Sequence, residues 1–319
     1  MRAVTIREGG ELAVAEHPDP QPGAGEVLVR VRAAGLNGAD ILQRRGAYPA
    51  PPGAPPDIPG LELAGEVAAV GPGARRFAEG DRVMGIVGGG GQAELATVHE
   101  RQLMPVPDAL DWPAAGAVPE VFTTAHDALF TQCDLRLGER LLVHGAAGGV
   151  GTAAVQLGAA AGARVTATVR NEALRGAVAE LGAGEVLAPD GFQEDGPFDV
   201  ILELVGAPNM PANLQALNTG GRIVVIGVGA GFQAEVNLLA LMGKRATLRA
   251  STLRARPLEE KAATARAMER EVLPLFDAGR LRAPIAETFP LAEVEAAYDR
   301  FTAGGKLGKI VLTTTPADA

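Results

Sequence analysis

From Pro119 onward, short runs of Val, Ile and Leu alternate with alanine-rich stretches of helical spacing. The apolar runs fall at 140–146, 164–169, 185–188, 199–206, 221–228 and 247–252, and helices are predicted at 149–161, 172–181 and 209–218. Strands that are apolar along their whole length, with helices between them, describe a parallel sheet covered on both faces. Before Pro119 the pattern differs. Short β-type runs at Val27 to Val31, Glu66 to Val70, Asp81 to Ile86 and Ala93 to Val98 are punctuated by Gly and Pro, with helical spacing only around Ala39 to Arg45. After Pro257 come a charged helix, the segment PIAETFPL, a helix from 291 to 303 and a last strand, KIVL. This tail is too short for a core of its own, so it is expected to join the N-terminal β region, with the α/β part inserted between them. PAPPGAPP (49–56) reads as an extended loop.

Composition sharpens this picture. Glycine makes up 42 of 319 residues, about 13% against the usual ~7%, yet 47% of the chain is apolar and the glycines have no period. A collagen-like or disordered chain is excluded, and the excess needs local explanations; Gly88 to Gly91 reads as no more than a flexible turn. A single Cys133 rules out an intramolecular disulfide framework and a multi-cysteine zinc site. A net charge of −9 disfavours nucleic acid as a principal partner. There is no signal-peptide core in the first residues and no run of about 18 apolar residues later, so a soluble, cytoplasmic protein with no membrane partner is expected.

The strongest chemical signal is LLVHGAAGGVGTAAVQL. Ala146, Gly148 and Gly151 occupy the three positions of a GxGxxG turn, directly after a strand and opening a helix within a βαβ unit. A side chain at Gly148 would block backbone approach to a pyrophosphate, and one at Gly151 would hold the helix off the strand. The amides of Gly149 and Val150 then face the phosphates with the helix dipole behind them. At the next strand end, in TATVRNEAL, no acid stands ready for a ribose diol. Thr168 ends that strand, and Arg170, with Arg175 one turn into the helix, fits a 2′-phosphate, which points to NADP(H). A solvated arginine, and Asn171 capping a helix that starts with Glu172, is the competing reading. Val205, Gly206, Gly227 and Val228 lie at the carboxyl ends of later strands, where ribose and nicotinamide would sit; ordinary turns explain them as well. His144, on an apolar strand, reads as a core histidine, and Lys306 and Lys309 read as solvated.

AAGLNGADILQRRGAYPAPPGAPPDIPGLELAGEV (33–67), AVPEVFTTAHDAL, HGAAGGVGTAAVQL and GGKLGKIVL together resemble the medium-chain dehydrogenase/reductase superfamily, in its zinc-free, zeta-crystallin-like quinone oxidoreductase branch. The likeness is nearest to the tumour-suppressor-inducible quinone reductase group and covers the whole chain in order. It implies a discontinuous GroES-like β-barrel catalytic domain (1–116 and 257–319), a Rossmann domain of doubly wound parallel sheet (117–256), and a homodimer built through the cofactor domain by an edge strand such as 247–252. It also implies that Asn37 and Tyr48 lie beside nicotinamide and substrate, and Thr124 near the nicotinamide. Asn37 as a turn residue, Tyr48 as a packed aromatic and Thr124 as a helix-interior residue remain the alternatives. Where zinc alcohol dehydrogenases carry a cysteine ligand this chain has Asn37, and where they carry GHE it has Gly60-Leu61-Glu62, so no metal is expected. Without a Lewis acid, hydride would pass to an acceptor that is already electrophilic, with the Asn37 amide or Tyr48 hydroxyl donating to the developing oxyanion. The expected activity is an NADPH-dependent, zinc-free quinone reductase. The alternatives are a reductase of activated alkenes (enals, enones or enoyl thioesters) and a non-catalytic NADPH- or RNA-binding protein.

Overall fold

The computed structural model describes residues 1–314. The chain forms two units, one of Met1–Thr123, Leu253–Gly304 and the residues from Lys309 on, the other of Thr124–Thr252 with Gly305–Gly308. The first begins with a hairpin, β1 (Arg2–Ile6) and β2 (Leu12–Glu16), which the apolar pattern did not announce because only Ala3, Val4 and Leu12 of its residues are buried. There follow β3 (Glu26–Gly35), α1 (Gly38–Arg44), β4 (Glu62–Val70), β5 (Arg82–Ile86), β6 (Leu95–His99), β7 (Leu103–Pro105), α2 (Trp112–Gly116) and α3 (Pro119–His126). In β3, Val27, Val29 and Val31 are buried and the residues between them are not, the two-residue alternation of a strand with one face on a core. Gly88 to Gly91 is a packed crossing rather than a flexible turn. A Cβ on Gly88 would touch Pro51 and Ala54 of the proline-rich loop at 3.1 Å, and one on Gly91 would stand 2.6 Å from the Glu62 carbonyl.

The second unit contains β8 (Arg140–Val143), α4 (Gly149–Ala160), β9 (Arg164–Thr168), α5 (Arg175–Ala179), β10 (Glu185–Leu187), β11 (Phe198–Glu203), α6 (Met210–Ala216), β12 (Leu217–Val225), α7 (Leu238–Gly243) and β13 (Thr247–Ala250). The six strands are parallel, in the order β10-β9-β8-β11-β12-β13. This is a Rossmann-type doubly wound sheet. Strand order reverses at β8, so the crevice beyond the carboxyl ends of β8 and β11 is where such sheets bind ligands. Two expected elements differ. The helix expected at 172–181 is a short turn, Glu172–Leu174, followed by α5 only, and β12 starts four residues early. Leu217 pairs with Phe198, the ladder then slips, and it resumes at Arg222 opposite Val200, so Asn218 to Gly221 form a bulge that sequence periodicity reads as a loop.

The chain then returns to the first unit through α8 (Leu258–Glu271), α9 (Leu273–Asp277), β14 (Ile285–Pro290), α10 (Val294–Ala303) and β15 (Lys309–Thr313). That unit's main sheet runs β14-β15-β3-β4-β5-β7, with β6 also on β3. β15 pairs antiparallel with Ala33 to Gly35, and Ile310 and Leu312 join Val4, Leu12, Leu36 and Tyr298 in one apolar cluster. Among the described residues no helix is long and apolar enough to cross a membrane.

Candidate functional site

In the second unit the glycine turn joins β8 to α4. A Cβ on Gly151 would stand 2.5 Å from the Gly145 carbonyl and 2.6 Å from Ala146 Cα, so only glycine lets the helix start against the strand end. At Gly148 the nearest neighbour of a Cβ, the Gly145 carbonyl, is 3.4 Å away, and the space otherwise stands open. The amides of Gly149 and Val150 belong to the first turn of α4, where a helix has no carbonyl of its own one turn back to bond them. An open cradle over a helix N-terminus fits a pyrophosphate. Ala146 N donates to the Thr168 carbonyl (3.2 Å), which ties the turn to the end of β9. Arg170, just beyond, is exposed, and its guanidinium makes no hydrogen bond or ion pair among the described residues. Arg175 is partly committed, with Nε donating to the Val169 carbonyl at 3.3 Å and an ion pair to Glu172 at 3.9 Å. Gly206 and Gly227 are places of close backbone approach: a Cβ on Gly206 would meet the Gly231 carbonyl at 2.5 Å and Val228 Cα at 2.9 Å, and one on Gly227 would overlap the Leu204 carbonyl. Val205 is half-buried, Val228 exposed and Thr124 buried in α3.

Beneath this rim runs a buried polar chain. Glu203, at the end of β11, accepts from the amides of Val205 (2.6 Å) and Gly206 (2.8 Å), from Asn209 Nδ2 (3.3 Å) and from Asn213 Nδ2 (2.7 Å). Because Nδ2 of Asn213 faces Glu203, its Oδ1 faces His144 Nε2 (2.8 Å), so His144 carries its proton on Nε2 and Nδ1 accepts from the Thr168 hydroxyl at 2.9 Å. Burial pushes the His144 pKa down against the opposing pull of Glu203 and Asn213, keeping the ring neutral. His144 is thus a satisfied core histidine, and the Thr168 side chain serves the interior.

In the first unit, Asn37 closes the turn before α1. Its Nδ2 donates to Glu62 Oε1 (2.9 Å) and the Gly35 carbonyl (3.2 Å), and its Oδ1 accepts from Lys309 Nζ (2.6 Å). Lys309 also donates to the Leu36 carbonyl at 2.6 Å and pairs with Glu62 at 2.7 Å. Lys309, expected to be solvated, is 4% exposed and Glu62 is not exposed at all. The register of β15 against β3 carries the lysine inward beside Gly35. Next to them Asp40 accepts from the amides of Asn37 (2.8 Å) and Gly60 (3.1 Å), and burial pushes its pKa up to about 6 although Lys309 opposes it. Both amide hydrogens of Asn37 are therefore engaged, and an oxyanion would find no donor there. Tyr48 differs: its hydroxyl has no hydrogen-bond partner among the described residues, and burial raises its pKa, with Arg254 opposing, so it stays protonated and able to donate. Arg254 lies 5.0 Å from the centre of the Tyr48 ring and donates to the carbonyls of Tyr48 (3.0 Å) and Gly88 (2.8 Å) and to Gln43 (2.5 Å).

The donor set at the zinc-ligand positions does not suit that metal. Asn37 is neutral and spoken for, Leu61 has no donor atom, and Glu62 is bonded to an ammonium. Cys133 is buried, with a thiol pKa pushed up to about 11. Sequence reading missed Lys309, Glu62, Asp40, Glu203 and Arg254. For Glu203 and Lys309 the usable signal was a charge inside an apolar strand run, which burial obliges to find partners.

Residues 23–108 match the family described as alcohol dehydrogenase GroES-like domain, and 181–312 match zinc-binding dehydrogenase. A quinone oxidoreductase from Lama guanicoe is 33% identical, over 98% of this chain and 97% of its own. An erythronolide synthase from Saccharopolyspora erythraea is 38% identical over 96% of this chain but only 8% of its own length. Among solved structures, an alcohol dehydrogenase superfamily protein from Novosphingobium aromaticivorans superposes with a TM-score of 0.88 at 32% identity, covering 99% of this chain and 100% of that one.

Proposed function

The chain belongs to the quinone oxidoreductase group of the medium-chain dehydrogenase/reductase superfamily, and from that premise we propose that it is an NADPH-dependent reductase that passes hydride to a quinone. It is an oxidoreductase that uses a nicotinamide cofactor and a small-molecule substrate. The observation that carries the substrate is the likeness to a quinone oxidoreductase along almost the whole of both chains. When bound, the nicotinamide supplies the hydride; the protein's part is to place the reactants and stabilise charge. In this reading the pyrophosphate lies over Gly148 on the amides of Gly149 and Val150, and the Tyr48 hydroxyl, its ring and carbonyl held by Arg254, donates to the oxygen that gains charge. The residues at the metal positions supply no Lewis acid, so the acceptor must be electrophilic already. The 2′-phosphate of NADPH falls to Arg170, which has no other partner among the described residues, with Arg175 secondary.

The synthase likeness favours a second substrate class, an activated alkene such as an enoyl thioester. A homodimer is part of the reading, supported by β13 at the open edge of its sheet and by exposed Leu238, Leu239, Met242 and Leu248 around it. A single buried cysteine supports the cytoplasm as its compartment. The decisive experiment follows NADPH and NADH oxidation against ortho- and para-quinones, alkenals and enoyl thioesters, with and without chelator. Quinone turnover with NADPH, unaffected by chelator, is expected. Turnover confined to alkenes would move the substrate, tight NADPH binding without turnover would point to a binding protein, and zinc-restored activity would defeat the metal-free mechanism. Arg170→Ala should raise KM for NADPH roughly tenfold, the scale of one charge-assisted hydrogen bond, and leave that for NADH nearly unchanged.

A further inference from the structure

Within the first unit, a cavity of about 20 Å³ is lined by Gln102, Thr123, Lys261 and Thr264, with apolar side chains such as Ile86 and Met104 in its other walls. That is room for one water-sized guest. A threonine inside a helix ordinarily returns its hydroxyl to the carbonyl one turn back. Thr123, on α3 and 2% exposed, does not, and its Oγ1 has no hydrogen-bond partner among the described residues. The side-chain amide of Gln102 and the ammonium of Lys261, both half-buried, likewise make no hydrogen bond or ion pair among the described residues. Three polar side chains without partners thus share one small cavity, which is costly unless a guest satisfies them.

The hydroxyl, the amide and the ammonium can all donate, and the ammonium can do nothing else. Thr264 spends its own hydrogen on the Lys261 carbonyl (2.8 Å), which fixes the turn of α8 that carries the lysine. Burial first, and then Arg254, lower the Lys261 pKa, and no carboxylate opposes them, so the local potential is positive. Apolar walls leave that potential poorly screened. We propose that this cavity is a binding site for a single halide-sized anion such as chloride, held by the Thr123 hydroxyl and the Lys261 ammonium with the Gln102 amide as a third donor. A water would fill the volume but leave the charge of the ammonium uncompensated, and a sulfate or phosphate needs far more room. An anion there also offsets the repulsion between Lys261 and Arg254, the residue that holds the Tyr48 carbonyl.

The proposal stands apart from the reductase reading, because unfolding and diffraction test it without turnover. Thermal unfolding of the full chain in sodium chloride is compared with sodium gluconate at equal ionic strength. Chloride is expected to raise the unfolding temperature saturably, by about 2 °C at ten times its dissociation constant. Lys261→Met, which keeps the stem and loses the charge, should show no chloride-specific rise. Thr123→Val should need roughly tenfold more chloride, yet be at least as stable as wild type in gluconate, because a methyl replaces a hydroxyl that has no partner. Crystals grown with bromide should carry an anomalous peak in the cavity, beside Thr123 and Lys261. A wild-type protein equally stable in the two salts, a Lys261→Met response equal to that of wild type, or a water in the cavity with bromide present would each overturn the proposal. Should Lys261→Met not fold, Thr123→Val decides, and an unchanged chloride requirement in that variant overturns it.

Discussion

Asp40 has no exposed surface, and the groups around it pull in opposite directions: burial and Glu62 disfavour its charge, while two backbone amides and Lys309 favour it. The balance sets its pKa at about 6 in the folded protein, against 3.8 for an ordinary aspartate. A raised carboxyl pKa means that the folded state holds the proton more tightly than the unfolded one, so the group favours folding below the unfolded value and loses that contribution as pH rises through about 6. Asp40→Asn should therefore gain stability relative to wild type by about 3 kcal/mol between about pH 4 and pH 7, the size of a two-unit shift. Denaturant titrations of both proteins across that range check it; a constant difference would mean that Asp40 is charged throughout. At this scale the sequence was legible where the chemistry is local. The glycine turn could be read from spacing, because strand, turn and helix are contiguous. The role of Asn37 could not, because what turns its amide inward is a lysine 272 residues away, brought there by strand register.

Three elements of the second unit end on one buried polar chain. His144 follows β8, Thr168 ends β9, Glu203 ends β11, and Asn213 on α6 joins them. Every donor along the chain points toward Glu203, whose carboxylate also holds the loop that carries Val205 and Gly206. Glu203→Ala would strand several buried donors and should cost about 3–5 kcal/mol, with a matching loss of dinucleotide affinity. Glu203→Gln should cost less, because Asn213 can flip and His144 can change tautomer, which reverses the chain and leaves only the Thr168 hydroxyl hydrogen without its acceptor. Thermal unfolding and fluorescence titration with NADPH measure both effects, and equal losses in the two variants would remove the relay from the account. The sheet of this unit was legible because parallel strands are apolar along their length. The β12 bulge and the β1–β2 hairpin were not, since a slipped ladder and a half-buried ribbon leave no clean period.

At the scale of the whole molecule, four of the exposed apolar residues, Leu238, Leu239, Met242 and Leu248, lie on α7 and β13 of the second unit. Leu238 and Leu239 are 67% and 79% exposed, beside a strand edge with open hydrogen-bonding groups. If two chains extend their sheets across that edge, Leu239→Asp combined with Leu248→Lys should shift the protein from dimer to monomer in sedimentation or light scattering. A dimer unchanged by both substitutions would place the interface elsewhere. The split of the first unit was legible as a tail too short to fold alone, and the pairing of β15 with β3 shows how the tail is used. That pairing also sets an order of events in time. β3 and β4 leave the ribosome early, while β15 follows only after the entire second unit has been made. At about 5–20 residues per second, the wait is on the order of tens of seconds. Throughout that interval Glu62 has no ammonium to meet, and part of one side of β3 has no strand, so the first unit stays incomplete until β15 arrives.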